Sequence, residues 1–215
     1  MNRSVYNIAA AFRRLSPVAL GEYDVIKGKS MTFRVKCYDA DHAGRLCLME
    51  MSGFLGLMKM ETAVFSPTVL DGPLFSFDYI KAFGKDTFLV ELYDTTLEHP
   101  GFEGMQSVKN RYSSLPSYDP GKHWYDRLLL PVSDYKKGKK LASELQKYIE
   151  EYVRTYFDIL NTCKPCDRAE KMKKNAEFTE GLLQNGGPAV NQFKKMIGEE
   201  KTEEFLRKYM FCCEE

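Results

Sequence analysis

No run of about 18 uninterrupted apolar residues occurs in the sequence, so nothing in it reads as a membrane-spanning helix. Charge of one sign is missing too: 31 Lys and Arg stand against 30 Asp and Glu, a formal net charge of +1. With no global field, a charged partner has to be met by a local patch, and nucleic acid is not suggested. The chain lacks a GxGxxG after a strand and a Walker loop, which removes the sequence support for nucleotide binding. It lacks HExxH and GxSxG as well. Histidine is scarce, with only His42, His99 and His123, each in a loop-like context that reads as a solvated turn.

A disulfide framework is also absent. The six cysteines, at 37, 47, 163, 166, 212 and 213, have no regular spacing, and no apolar secretion signal precedes them. Reduced thiols in a soluble, cytoplasmic protein are expected. Cys163 and Cys166 form a CxxC in TCKPCD, but no second half of a metal site follows, and a helical pattern precedes it where a thioredoxin-like motif wants a strand. The expected setting is a helix-to-helix loop. The first twenty residues, MNRSVYNIAAAFRRLSPVAL, carry three Arg and no acid, which suits either an organelle presequence or a short helix ending near Pro17.

What is present is ordinary globular composition, 44% hydrophobic and 28% charged over 215 residues, enough to build one domain over 1–215. MTFRVKCY (31–38), RLCLMEM (45–51), LMKMETAVF (57–65), PLFSFDYI (73–80) and TFLVELY (87–93) read as strands. Their connections are too short for crossover helices, so the sheet is expected to be largely antiparallel. After an irregular stretch at 95–135, GKKLASELQKYIEEYVRTYFDILN starts a long amphipathic helix whose apolar face runs from Leu141 through Leu145, Tyr148, Tyr152 and Tyr156 to Leu160. A second helix is expected over 167–183, then a break at QNGGPA and a closing helical pair. Strands followed by helices predict an α+β domain.

One residue sits oddly in this pattern. Alternation puts Leu74, Ser76, Asp78 and Ile80 on one face of their strand and Phe75, Phe77 and Tyr79 on the other. Both faces are mostly apolar, where an ionised carboxylate loses several kcal/mol of hydration unless paired, protonated or opened to a cavity. Glu50, beside Leu46 and Leu48, poses the same problem, and Glu61 a milder one. Two readings fit: the wet face of a half-covered sheet, or a cavity floored by the sheet in which carboxyls of raised pKa hold and deliver protons.

METAVFSPTVLDGPLFSFDYI resembles the stretch of the ferredoxin-dependent bilin reductases in which a strand ends in a Phe-Pro turn and then runs Leu-Pro-(apolar)-Phe-Gly-x-Asp. LASELQKYIEEYVRTYFDIL is similar to that family's Tyr-rich helix, LLQNGGPAVNQF to its Asn-Asp-Pro-Ala-Arg loop, and FKKMIGEEKTEEFLRKYMF to its closing segment. The resemblance covers roughly 45–94 and 138–211. It implies a three-layer α/β/α sandwich holding a linear tetrapyrrole such as biliverdin between the sheet and the C-terminal helices. It implies no bound cofactor, no metal and a monomer, with electrons from reduced ferredoxin or flavodoxin and protons from side chains.

Carried over residue by residue, the resemblance implies that Asp78 is the proton donor, with Glu50 and Glu61 as further catalytic acids. Thr87, at the place of a family hydroxyl, becomes a propionate ligand, with Ser76, Phe77 and Asn185 also against the pigment. Glu61 stands where several members carry a catalytic His. Gly187 stands where some carry a second catalytic Asp, which favours a single two-electron step at the bridge between rings C and D, or at ring D. The basic residue expected after that loop is replaced by Val190 and Asn191. Lys136, Lys137, Lys139 and Lys140, with Arg154 further along, are the expected docking surface for an acidic ferredoxin; a solvated helix start fits them equally. A non-catalytic tetrapyrrole carrier on the same fold and a protein-interaction domain are the alternatives.

Overall fold

The computed structural model describes Ile8, Phe12, residues 14–40 and residues 43–213. Strands β1 (Leu15–Val18), β2 (Val25–Lys27), β3 (Met31–Ala40), β4 (Gly44–Gly53), β5 (Met58–Pro67), β6 (Leu74–Ala82), β7 (Lys85–Tyr93) and β8 (Asp134–Gly138) form one sheet in the order β1-β3-β4-β5-β6-β7-β8, with β2 also on β3. Every strand pairing among the described residues is antiparallel. The five expected strands are all present. The short connections behind that expectation are the tight turns at 54–57 and 83–84, where Phe54, Leu55 and Phe83 take positive φ.

Helices cover both faces, as expected. On one face lie α1 (Glu103–Arg111) and the long α2 (Ala142–Thr162). The apolar stripe of α2 buries Leu145, Ile149, Val153 and Leu160 against Phe65, Phe75, Phe77 and Phe88 of the sheet. Each such side chain contributes roughly 1.5–3 kcal/mol of hydrophobic stabilisation. Three tyrosines spaced by four residues are buried with them, and each hydroxyl donates to a fixed acceptor: Tyr148 to Asp134 Oδ2 at 2.7 Å, Tyr152 to the Val132 carbonyl at 2.9 Å, Tyr156 to the Pro73 carbonyl at 2.8 Å. The helix is thereby fixed in register as well as buried.

The other face carries α3 (Arg168–Asn185), α4 (Pro188–Ile197), α5 (Glu199–Glu204) and a π-helical turn over Phe205–Met210. Asp167 caps α3 by accepting from the Glu170 N–H at 2.9 Å. Lys171, one turn in, is fully buried; its Nζ donates to the carbonyls of Gly72 and Thr95, both at 2.6 Å, and lies 3.7 Å from Asp71 Oδ1. This pins the start of α3 to the sheet's end. Cys163 and Cys166 lie in the α2–α3 loop, the setting the sequence suggests.

Three expectations need correction. Lys136 and Lys137 do not begin a helix: they belong to β8, an edge strand whose alternation buries Asp134 and Lys136 together, Nζ to Oδ2 3.2 Å. The 95–135 stretch is not wholly irregular; it holds α1 and a 3₁₀ turn over Trp124–Leu128. Pro17 does not close a helix but pairs with Tyr38 in β1. Most of the N-terminal segment and His42 lie outside the described residues. No helix among the described residues is long and apolar enough to cross a membrane.

Candidate active site

Between the sheet and the C-terminal helices lies a cavity of about 740 Å³, within the range of small-molecule sites. Pleating and register build its floor. Met49, Thr62, Asp78 and Leu89 are register partners across β4 to β7, so all four side chains emerge on the same face. The next row toward one end pairs Val64, Ser76 and Glu91, and toward the other Ile80 pairs with Thr87 and Thr87 with Lys137. The roof is mostly apolar, from Phe178, Leu182, Val190 and Phe193 to Leu206, Met210 and Phe211, with Gln192 its polar member. In the π turn the Phe211 N–H bonds to the Leu206 carbonyl, a five-residue closure that puts both side chains toward the cavity. Six of the chain's ten methionines line the walls: Met31, Met49, Met51, Met58, Met60 and Met210. Unbranched, polarisable side chains adapt to a large flat ligand.

Asp78 stands at the centre of this floor. Thr62 Oγ1 donates to its Oδ1, and no Lys or Arg pairs with it among the described residues. The little surface it exposes faces the cavity. Burial pushes its pKa up to about 7, against the pull of the Thr62 hydrogen bond and with a push from the nearby Glu91 charge. Near neutral pH such a group holds a proton and can release it.

Glu91 was not singled out in the sequence. It lies on β7 opposite Ser76, is buried, and lines the same cavity. Tyr93 donates to its Oε2 at 2.6 Å and Tyr135 to its Oε1 at 3.0 Å. Burial raises its pKa, while the two phenols and the nearby His123 pull the other way. The signal for it was available: in TFLVELY alternation puts Glu91 on the face of Thr87. His123, expected as a solvated turn residue, is instead half-buried at this site. It lines the cavity and stacks on Tyr125 at 4.8 Å between ring centres.

Of the expected substrate ligands, Ser76 and Thr87 line the cavity. Beside Thr87, Lys137 and Lys85 also line it, with Lys137 Nζ 4.3 Å from the Tyr118 ring centre. A hydroxyl and two ammonium groups at one end suit an anionic ligand group such as a carboxylate. Although no basic residue directly follows Ala189, β7 and β8 thus bring positive charge to the cavity wall. Gly187 lines the cavity with no side chain to offer. Trp124 Nε1 donates to the Gly186 carbonyl at 2.9 Å, holding the α3–α4 loop in place.

Four expected site residues do not belong to this cavity. Glu50 and Glu61 are register partners of each other and, through Glu61, of Tyr79. That row is one residue out of step with Asp78, so pleating turns it to the opposite face, where it borders a separate hollow of about 450 Å³ with Arg34, Lys59 and Lys81. Phe77, adjacent to Asp78 in sequence, is also on that opposite face and packs on Phe88, ring centres 5.6 Å apart. Asn185 ends α3 with its amide donating back to the Gly181 carbonyl at 3.0 Å, exposed and outside the lining.

No protein-family model and no curated protein matches the sequence. The fold does have solved counterparts. The chain is similar to the phytochromobilin synthase from tomato, whose crystal structure is a complex with biliverdin: the TM-score is 0.77 at 13% identity, over 98% of this chain and 80% of that one. The likeness extends across the whole sandwich, and at that identity it is a likeness of fold.

Proposed function

We propose that the protein is a bilin reductase, binding a biliverdin-like linear tetrapyrrole in the cavity and reducing it with electrons from ferredoxin or flavodoxin and protons from its own side chains. The observation that carries this reading is Asp78: a carboxyl with no cationic partner among the described residues, poised to hold a proton near pH 7, on the floor of a cavity walled by methionines and aromatics. The fold it shares with a biliverdin-bound synthase supports the same ligand class. The pigment would lie flat on the sheet, with a propionate near Thr87, Lys85 and Lys137 and its pyrrole edge over Asp78.

In this reading Asp78 protonates the pigment as an electron arrives, so that no charge accumulates on a buried ligand. Gly187, offering no acid beside the pigment, supports one two-electron step at the bridge between rings C and D, or at ring D. The docking surface shifts from the one expected: Lys136 is buried and Lys137 belongs to the cavity wall, leaving Lys139 and Lys140, both exposed, as the outer lysines of that segment.

Two measurements test it. Titrating the purified protein with biliverdin should shift the pigment's absorption bands, and adding reduced ferredoxin anaerobically should then bleach them. An unperturbed spectrum on mixing rules out the site; a perturbed spectrum with no bleaching leaves a carrier in place of an enzyme.

A further inference from the structure

Glu91 is a buried carboxyl that the reaction as described does not use. It shares the cavity floor with Asp78, on the neighbouring strand and one register row away: Ser76 faces Glu91, and Asp78 faces Leu89. Diagonal neighbours of this kind stand about 7–8 Å apart, too far for one carboxyl to bond the other but within the span of a single tetrapyrrole. Between them on the same face is the Ser76 hydroxyl, which makes no hydrogen bond to the protein among the described residues and lines the cavity. Asp78, Ser76 and Glu91 thus form a short protic line under a mostly apolar roof.

The surroundings of Glu91 suit an acid that gives up a proton and then bears the charge. Each oxygen already accepts one phenol hydrogen, from Tyr93 on its own strand and Tyr135 on β8. A carboxylate oxygen has room for a second partner, and Glu91 lines the cavity. The other titratable groups around it are Asp78 on β6 and His123, Tyr125 and Asp126 on the 3₁₀ turn, while the helices above present Phe178, Leu182 and Phe211. No Lys or Arg forms an ion pair with it among the described residues, so no cation holds it permanently ionised. A purely structural carboxyl at this place would more naturally be paired.

We propose that Glu91 is a second proton donor of the cavity, supplying the bound tetrapyrrole with the proton that Asp78 does not; the proposal rests on the bilin reductase reading. Reducing one double bond takes two electrons and two protons. The electrons come one at a time from two reduced carriers, which leave oxidised. One proton leaves Asp78 and the other Glu91; the π bond is lost, two bonds to hydrogen form, and both carboxyls end as carboxylates. They regain protons when the product departs and water enters.

The test compares Glu91→Gln with Asp78→Asn in the full chain, using biliverdin and reduced ferredoxin. Glutamine keeps the size of the side chain and a partner for each phenol. E91Q is expected to perturb the biliverdin spectrum as the wild type does, to lose roughly 100-fold or more in kcat as general acids do when removed, and to accumulate a bilin radical detectable by electron paramagnetic resonance. With the Glu91 charge gone, the Asp78 limb of its pH–rate profile should also move to lower pH. Tyr135→Phe provides a second reading: losing a hydrogen bond that favours the carboxylate raises the Glu91 pKa, so the Glu91 limb of the profile, distinct from that of Asp78, should move to higher pH. Wild-type turnover in E91Q, or an unmoved limb in Y135F, overturns the inference while leaving the bilin reading intact. Failure of the wild type to bind biliverdin at all overturns both.

Discussion

At the scale of single residues, the proposed chemistry turns on where the proton of Asp78 resides. Its pKa, about 7 against an ordinary 3.8, means the folded state binds a proton that the unfolded chain has released between those values. The stabilising contribution of that proton is complete below about pH 4 and is lost as pH rises through 7. Asp78→Asn removes the titration, so its stability relative to wild type should grow across that window by up to roughly 3–4 kcal/mol and then level off, as urea unfolding at a series of pH values would read. The same substitution should leave biliverdin binding in place and stop turnover, since shape is kept and the proton is not. Thr62→Val offers a finer probe. Without the hydroxyl that favours the ionised form, Asp78 stays protonated to higher pH, and the falling limb of the rate profile should move upward. A limb that stays put would assign the titration to another group.

At the scale of elements, much of the architecture was legible because alternation and helical periodicity are local. The five strands from β3 to β7 and the long helix α2 fall close to where the pattern puts them. The misassigned parts are those whose character depends on a neighbour. β8 is lysine-rich and becomes a strand only by pairing with β7, with Asp134 to neutralise Lys136. Glu50 and Glu61 carry the right chemistry, but register, which no single strand reveals, sends them to the other face. Asp78 was legible because it is anomalous within its own strand; Glu91 was passed over because a lone acid in an alternating strand looks like a wet face. Lys171 shows the same limit: it reads as one more lysine on a polar helix, yet holds α3 to the sheet through two carbonyls and Asp71. Lys171→Met should cost about 3–5 kcal/mol in urea unfolding, the usual penalty for breaking a buried charged network. A loss below about 1 kcal/mol, typical of an exposed pair, would mean that α3 is held by its apolar contacts instead.

At the scale of the whole molecule, neutrality hides a polar distribution. The β2–β3, β4–β5 and β6–β7 turns and the exit of β8 all lie at one end of the sheet, since Gly53 pairs with Met31 and Met58, Met58 with Ala82, and Asp86 with Gly138. Residues 27–29, 54–59, 81–85 and 137–140 hold Lys27, Lys29, Lys59, Lys81, Lys85, Lys137, Lys139 and Lys140 and no acid. The same end bears the exposed Leu55, Leu57 and Phe83, 105%, 62% and 75% accessible, and Met31, Met58 and Phe83 also line the cavity. On the proposed bilin reductase reading, a basic, apolar-tipped rim beside the cavity is where an acidic electron carrier would come nearest the pigment. Reversing Lys81, Lys139 and Lys140, all exposed and outside the cavity lining, to Glu should therefore raise the KM for reduced ferredoxin about tenfold at low ionic strength, an effect expected chiefly on association. The gap should close as salt rises past the screening length of about 10 Å at 0.1 M. Turnover driven by a small uncharged reductant should match wild type throughout. Equal KM values for ferredoxin at low salt would place the carrier on another face and leave this basic end without a part in electron delivery.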